Sequence, residues 1–162
     1  MRFLIKQLTS LLLPFTVLIL VPWWIEKDIT VKSLTAFAAG IVFMGLGLIM
    51  ITLTVYQFII FGKGTLAPWY PTGKLVISGL YAYVRNPMIS GVLIVLAGES
   101  IAISSIKICY WMLLFFVINN IFFLVYEEPN LDKRFGSAYR EYKKNVPRWI
   151  PRLKPYHPDN SN

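Results

Sequence analysis

The sequence predicts an all-α integral membrane protein of about four transmembrane helices with a cytosolic, amphipathic C-terminal helix. Three observations lead there. Of 162 residues, 56% are apolar and the mean hydropathy is +0.59, more apolar surface than a soluble core of this size absorbs. The apolar residues gather into runs at approximately 8–25, 33–61, 88–104 and 108–126. Two polar stretches, Gly79 to Gly91 (GLYAYVRNPMISG) and Tyr126 to Tyr142 (YEEPNLDKRFGSAYREY), flank the hairpin formed by the last two runs. The whole chain, 1–162, reads as one domain.

The first run follows Arg2 and Lys6 and ends at Pro22, Trp23 and Trp24, where a signal peptide needs small residues for cleavage. It is therefore expected to stay as a span, with the tryptophans at the membrane interface. The second run exceeds the roughly 20 residues that cross a bilayer, so it tilts or projects. Ala36, Gly40, Gly45 and Gly47 make it rich in small residues. They suit close helix packing, or a bare patch of backbone against which a cofactor lies.

Residues 62–80 carry Gly62, Gly64, Pro68, Pro71, Gly73 and Gly79, so this stretch is a structured loop, with Trp69 and Tyr70 at headgroup level. The third span holds one acid, Glu99, read as a hydrogen-bonded polar group between helices. A tight turn at Ser105 to Lys107 leads into the fourth span, which carries Asn119 and Asn120. Beyond it, Leu131, Phe135, Tyr139 and Tyr142 recur at helical spacing among Lys133, Arg134, Arg140, Lys143 and Lys144. That pattern predicts a helix on the membrane surface. Val146 to Pro151 (VPRWIP) ends it, and the last residues, including His157, read as a loose tail.

The net charge is +8, but the basic residues flank apolar runs, which points to anionic lipid headgroups and away from nucleic acid. Four spans with both termini cytoplasmic put thirteen basic residues on one side and three (Lys27, Lys32 and Lys107) on the other, as the positive-inside rule asks. Both polar stretches then share the cytoplasmic face. The single cysteine, Cys109, excludes a disulfide framework and a multi-cysteine metal site. A cation such as Arg85 at the mouth of a span needs a partner or a ligand, so the two stretches read as two walls of one site.

The order GLYAYVRNPMISG, a two-span hairpin, Glu127-Glu128-Pro129, RFGSAYREY and VPRWIP resembles the integral-membrane methyltransferases of the isoprenylcysteine carboxyl methyltransferase and phospholipid methyltransferase superfamily. The resemblance covers roughly residues 62–151, the expected catalytic region. It implies S-adenosylmethionine as cofactor at the cytosolic helix ends, and a lipophilic or prenylated acceptor. It also implies that Tyr81, Arg85, Asn86, Pro87, Met88 and Gly91 line the cofactor pocket, that Glu127 and Glu128 complete it, and that Gly45 and Gly47 touch the cofactor as a Gly-X-Gly. Many relatives carry His at Asn86 and Tyr or Phe at Ile89. Asn offers a donor and an acceptor but shuttles no proton near neutrality.

The residue types suit that chemistry. A carboxylate pairs an ammonium or ribose hydroxyls, Arg85 pairs a carboxylate, and Tyr81 offers an aromatic face to a cation or a base. Methyl transfer is mainly alignment and needs no metal. Glu128 and Arg134 are the catalytic candidates. Arg134 would hold a prenylcysteine carboxylate; the alternative, a phosphatidylethanolamine-type N-methyl transfer, asks Glu127 or Glu128 to act as base. A plain helix cap is the simpler role for the glutamates, and a headgroup contact the simpler role for Arg134. Two further readings are a membrane lipid reductase, for which no strand-turn-helix Gly-X-Gly-X-X-Gly is present, and a non-enzymatic membrane scaffold, which leaves Arg85, Asn86 and the paired glutamates without a purpose.

Overall fold

The computed structural model describes residues 12–27, 29–62 and 75–158. The described residues are all helix, turn and loop, with no strand. Residues 8–11 of the first run, Arg2 and Lys6, and most of the predicted loop, with Trp69 and Tyr70, lie outside them. Five helices follow in order: α1 (Leu12–Ile25), α2 (Leu34–Gly62), α3 (Pro87–Ala102), α4 (Ile106–Phe122) and α5 (Glu128–Asn145). Two helical stretches, α2 and the one opening with α4, are long and apolar enough to cross a membrane; α1 and α3 are shorter apolar helices.

Prolines shape two of these helices in the same way. A wide, five-residue turn occupies Thr16–Leu20 ahead of Pro22, and another occupies Phe123–Glu127 ahead of Pro129. Proline donates no N–H and its ring crowds the carbonyl one turn back, so a wider turn relieves the ladder where it must break. In α1 the Val21 N–H reaches back to the Thr16 carbonyl, and Pro22 has none to give Val17. The Trp111 indole N–H of α4 fills that vacancy, donating to the Val17 carbonyl at 3.1 Å. Around this bond Val17, Val92, Leu96 and Phe115 form a core shared by α1, α3 and α4.

The most extensive helix contact is between α2 and α3, and glycines set its closeness. A Cβ placed on Gly40 would stand 2.5 Å from the Gly98 carbonyl, and one on Gly47 would stand 2.7 Å from the Gly91 carbonyl. Both are backbone atoms that cannot step aside. The same construction on Gly45 meets nothing within 4 Å. We therefore expect Gly40→Ala to cost about 1–3 kcal/mol through overpacking and Gly45→Ala to stay within about 0.5 kcal/mol of the parent. Thermal unfolding in detergent checks this; equal stability of the two variants would contradict the seam.

The α3–α4 turn falls two residues earlier than its sequence suggests. Ile103, Ser104 (φ 51°) and Ser105 make it, and Lys107 already belongs to α4. The reason is capping: the Ser105 hydroxyl accepts the Ile108 N–H at 3.4 Å and donates to Glu26 at 2.6 Å, tying the end of α1 to the start of α4. In α3, one oxygen of Glu99, Oε2, is buried without a hydrogen-bond partner among the described residues.

At the other end of the bundle, α5 bends at Gly136, whose φ of 53° and ψ of −124° belong to glycine. Its Tyr139 and Tyr142 pack with Val146, Leu75, Ile77 and Tyr156 of the same chain. Residues 146–156 after α5 are docked and not loose. Arg152 N–H donates to the Tyr83 carbonyl at 3.0 Å, Tyr156 N–H to the Ala82 carbonyl at 2.9 Å, and Arg85 N–H to the Pro147 carbonyl at 2.9 Å. Residues 146–156 thus form a strap along residues 82–85, using backbone groups that a free tail would leave to water.

Candidate functional site

The segment before α3 is held from two sides. Gly79 (φ 62°) leaves no space for a Cβ beside Gln57 of α2, and Gln57 Oε1 accepts the Leu80 N–H at 3.2 Å. From the other side, the Tyr142 hydroxyl of α5 donates to the Tyr81 carbonyl at 2.8 Å. This fixes Tyr81, Arg85 and Asn86 opposite the wide turn that carries Glu127. Pro87 opens α3, where its missing N–H costs nothing.

Glu128 organises the charges. Its Oε1 accepts Arg85 Nη1 at 2.7 Å and Arg148 Nε at 3.0 Å, together with Arg148 Nη2. Its Oε2 pairs with Lys143 Nζ at 2.7 Å. The Glu128, Arg85 and Arg148 side chains are 8%, 12% and 14% exposed, so the triad is a buried network, whereas Lys143 at 47% reaches it from the solvent side. Arg148 Nη1 continues to Asn120 Oδ1 at 2.9 Å, which also accepts the Trp149 indole N–H at 3.3 Å. Through Asn120 the strap is anchored on α4.

A cleft with ≈ 540 Å³ of empty space, measured out to its open mouth, lies between these elements. Tyr81, Arg85, Asn86, Glu127 and Glu128 line it, with Phe123 and Leu131 among its apolar walls and Tyr139 and Tyr142 behind. Burial pushes the Glu128 carboxyl up, but the hydrogen bonds from Lys143 and Arg148 and the charges of Arg85 and Arg148 outweigh it and hold the carboxyl below its ordinary range. Glu127 goes the other way. Burial first, then the Glu128 charge, push it up to about 7 against the pull of Arg148. Burial also raises Tyr81 and Tyr142, so both keep their hydroxyl protons at neutral pH.

Five sequence-predicted residues therefore meet in one cleft: Tyr81, Arg85, Asn86, Glu127 and Glu128. Others stand elsewhere. Gly47 and Gly91 lie in the α2–α3 contact, Pro87 is buried at the start of α3, and Met88 and Gly45 are half-buried outside the cleft lining. Arg134 is exposed on α5, its guanidinium carbon 4.9 Å from the Phe135 ring centre. The glutamates do not cap a helix by their side chains: Glu127 stands at the N-cap of α5 with no side-chain capping bond. Arg148, Lys143 and Asn120 were not singled out from the sequence as site residues, although Arg148 lies in the VPRWIP segment.

The phospholipid methyltransferase family model matches residues 35–138. The chain belongs to the phospholipid methyltransferase family. The family match runs from the start of α2 into α5, taking in both polar stretches as far as residue 138 and stopping before the strap that carries Arg148. The chain is also similar to methanethiol S-methyltransferase of Pseudomonas deceptionensis, at 28% identity over 165 aligned positions that cover 93% of this chain. It spans 61% of the length of that relative. No solved structure gives a significant match.

The residues of the cleft fit S-adenosylmethionine, the methyl donor expected for this family. Arg85 keeps a buried Nε without a hydrogen-bond partner among the described residues after its Nη1 is committed to Glu128. That is a donor suited to a carboxylate, beside an aromatic ring and a second carboxyl.

Proposed function

We propose that this phospholipid methyltransferase family member transfers a methyl group from S-adenosylmethionine to a lipophilic acceptor at the cytoplasmic face of a membrane. The observation that carries this reading is the convergence of Tyr81, Arg85 with its unpartnered Nε, Asn86 and Glu127 in one cleft. Arg85 holds the carboxylate of the cofactor, Tyr81 presents its ring, and Asn86 supplies an amide donor and acceptor. Gly45 offers open backbone on α2. When bound, S-adenosylmethionine supplies an electrophilic methyl on a sulfonium. The protein's part is alignment: the Glu128 network fixes Arg85, and the strap holds the Tyr81–Arg85 backbone in register.

The same reading treats the chain as one domain, 1–162, in which α1 to α4 cross the membrane and both termini are cytoplasmic. α5 lies along the surface, its tyrosines turned to the chain's own residues and its exposed Lys133, Arg134, Arg140 and Lys144 turned to anionic headgroups. Two acceptor classes suit the site. An isoprenylcysteine-type carboxylate calls on Arg134, which is exposed beyond the cleft lining; a phospholipid amine, or a thiol like that in the name of the Pseudomonas relative, brings a proton that the cleft must remove.

Sealed membrane vesicles test function and orientation together. Inverted vesicles given methyl-labelled S-adenosylmethionine from outside, with phosphatidylethanolamine, a prenylcysteine and an alkanethiol as acceptors, should transfer label to at least one of them. Right-side-out vesicles should transfer none until permeabilised. Label transfer by intact right-side-out vesicles would reverse the orientation, and none in either preparation would reject the activity.

A further inference from the structure

We propose that Arg148 is a positioning residue for the cofactor site: by covering Oε1 of Glu128 it keeps Arg85 from turning its Nε–H onto that carboxylate, and so leaves this donor for the carboxylate of the cofactor. This rests on the methyl-transfer reading above and adds to it a residue that stands outside the cleft lining.

The argument starts from the donors that meet on one oxygen. Glu128 Oε1 accepts Arg85 Nη1 at 2.7 Å, Arg148 Nε at 3.0 Å and Arg148 Nη2 as well, while Oε2 takes Lys143 Nζ. A carboxylate offers about four lone-pair directions over its two oxygens. Arg148 therefore takes up half of them. A guanidinium beside a carboxylate favours bringing two N–H groups to it. Arg148 does so with Nε and Nη2, whereas Arg85 brings Nη1, and its Nε stays buried without a hydrogen-bond partner among the described residues. A buried donor in that state costs free energy. It persists because the oxygen that Arg85 already touches is covered.

Arg148 is held to this task from the other side. Its Nη1 donates to Asn120 Oδ1 at 2.9 Å. The next residue, Trp149, donates to the same oxygen at 3.3 Å, and its ring centre lies 5.0 Å from that of Phe116 and 5.9 Å from that of Phe123. Every nitrogen of the Arg148 guanidinium thus has a protein partner, and its side chain is 14% exposed. What Arg148 governs is the direction in which Arg85 turns. Without it, Oε1 opens and the Arg85 guanidinium swings to present Nε and Nη2 to Glu128, as Arg148 does now. The donor is then withdrawn from the cofactor. The family match ends at residue 138, before this residue.

A double-mutant cycle on cofactor affinity reads the coupling. Arg148→Ala should weaken S-adenosylmethionine binding at least about fivefold in the parent and less than about twofold in Arg85→Ala, where the donor it protects is already gone. Decarboxylated S-adenosylmethionine keeps the sulfonium, the ammonium and the adenosine. It should bind the parent and Arg148→Ala within about twofold of each other. Without cofactor, the Arg85 Nε–H of ¹⁵N-arginine-labelled protein, identified by its absence from Arg85→Ala, should exchange with water more slowly in Arg148→Ala than in the parent. A merely loosened site would exchange faster. Arg148→Lys keeps a cation beside Glu128 and serves if the alanine variant does not fold; one ammonium cannot supply the paired donors, so it should still lose about threefold or more. Equal losses from Arg148→Ala in both backgrounds would overturn the proposal. So would equal losses for the two nucleosides, faster Nε–H exchange, or full affinity in Arg148→Lys. A parent that binds no S-adenosylmethionine would instead overturn the methyl-transfer reading beneath it.

Discussion

Replacing Glu128 by alanine is expected to destabilise the folded protein by about 3–5 kcal/mol, because it leaves buried cations without their counter-charge. Arg85 and Arg148 are 12% and 14% exposed, so water cannot take over the role of the carboxylate, and Lys143, nearly half exposed, adds little. The consequence reaches beyond stability. Arg148 also links Asn120 of α4 to the strap, and the strap accepts the Arg85 N–H, so losing Glu128 loosens three elements at once. Glu128→Gln should recover less than half of the loss, since a neutral amide accepts one or two of these hydrogen bonds and returns no charge. Thermal and denaturant unfolding in detergent measures both variants. A loss below about 1 kcal/mol for alanine would mean that the cations find other partners.

The direction of this effect with pH follows from the depressed Glu128 carboxyl. A carboxyl held below its unfolded value contributes stability that is present above that value and is lost as pH falls through the folded one. The parent should therefore lose stability on acidification below the ordinary carboxylate range near 4.5, and the Glu128→Ala variant should lose less over the same window.

Much of this arrangement is legible from the chain. Arg85 and Glu128 are 43 residues apart, but a two-span hairpin between them returns the chain to its starting face, so their meeting follows from span length alone. Gly40 and Gly47 announce a close helix contact by their size, yet only the structure names Gly98 and Gly91 as the partners, because small residues specify proximity and not register. The early turn at Ser104 was hidden because Lys107 looks like loop, while the Ser105 hydroxyl had already started the helix.

Arg148 is the site residue least legible from the sequence. It follows the end of α5 between Pro147 and Trp149, where a chain usually frays, and the backbone bonds that dock it on residues 82–85 depend on tertiary pairing that no local pattern encodes. A signal did exist. A buried carboxylate beside a second one needs cations, and Val146, fully buried immediately after a helix end, marks a tail that turns inward. The wide turn before Glu128 was readable too, from Pro129, by comparison with Pro22.

Equilibrium binding of labelled S-adenosylmethionine in detergent, to the parent and to Arg85→Ala, tests most directly whether the cleft is the cofactor site. Arg85 keeps one buried donor unsatisfied while another is spent on Glu128, so a ligand carboxylate gains a charge-assisted hydrogen bond there, worth about 1.5–3 kcal/mol. The account predicts that the parent binds and that Arg85→Ala, shown by its unfolding transition to be folded, binds at least about tenfold more weakly, a loss near 1.4 kcal/mol or more. Unchanged affinity in the folded Arg85→Ala variant would contradict it.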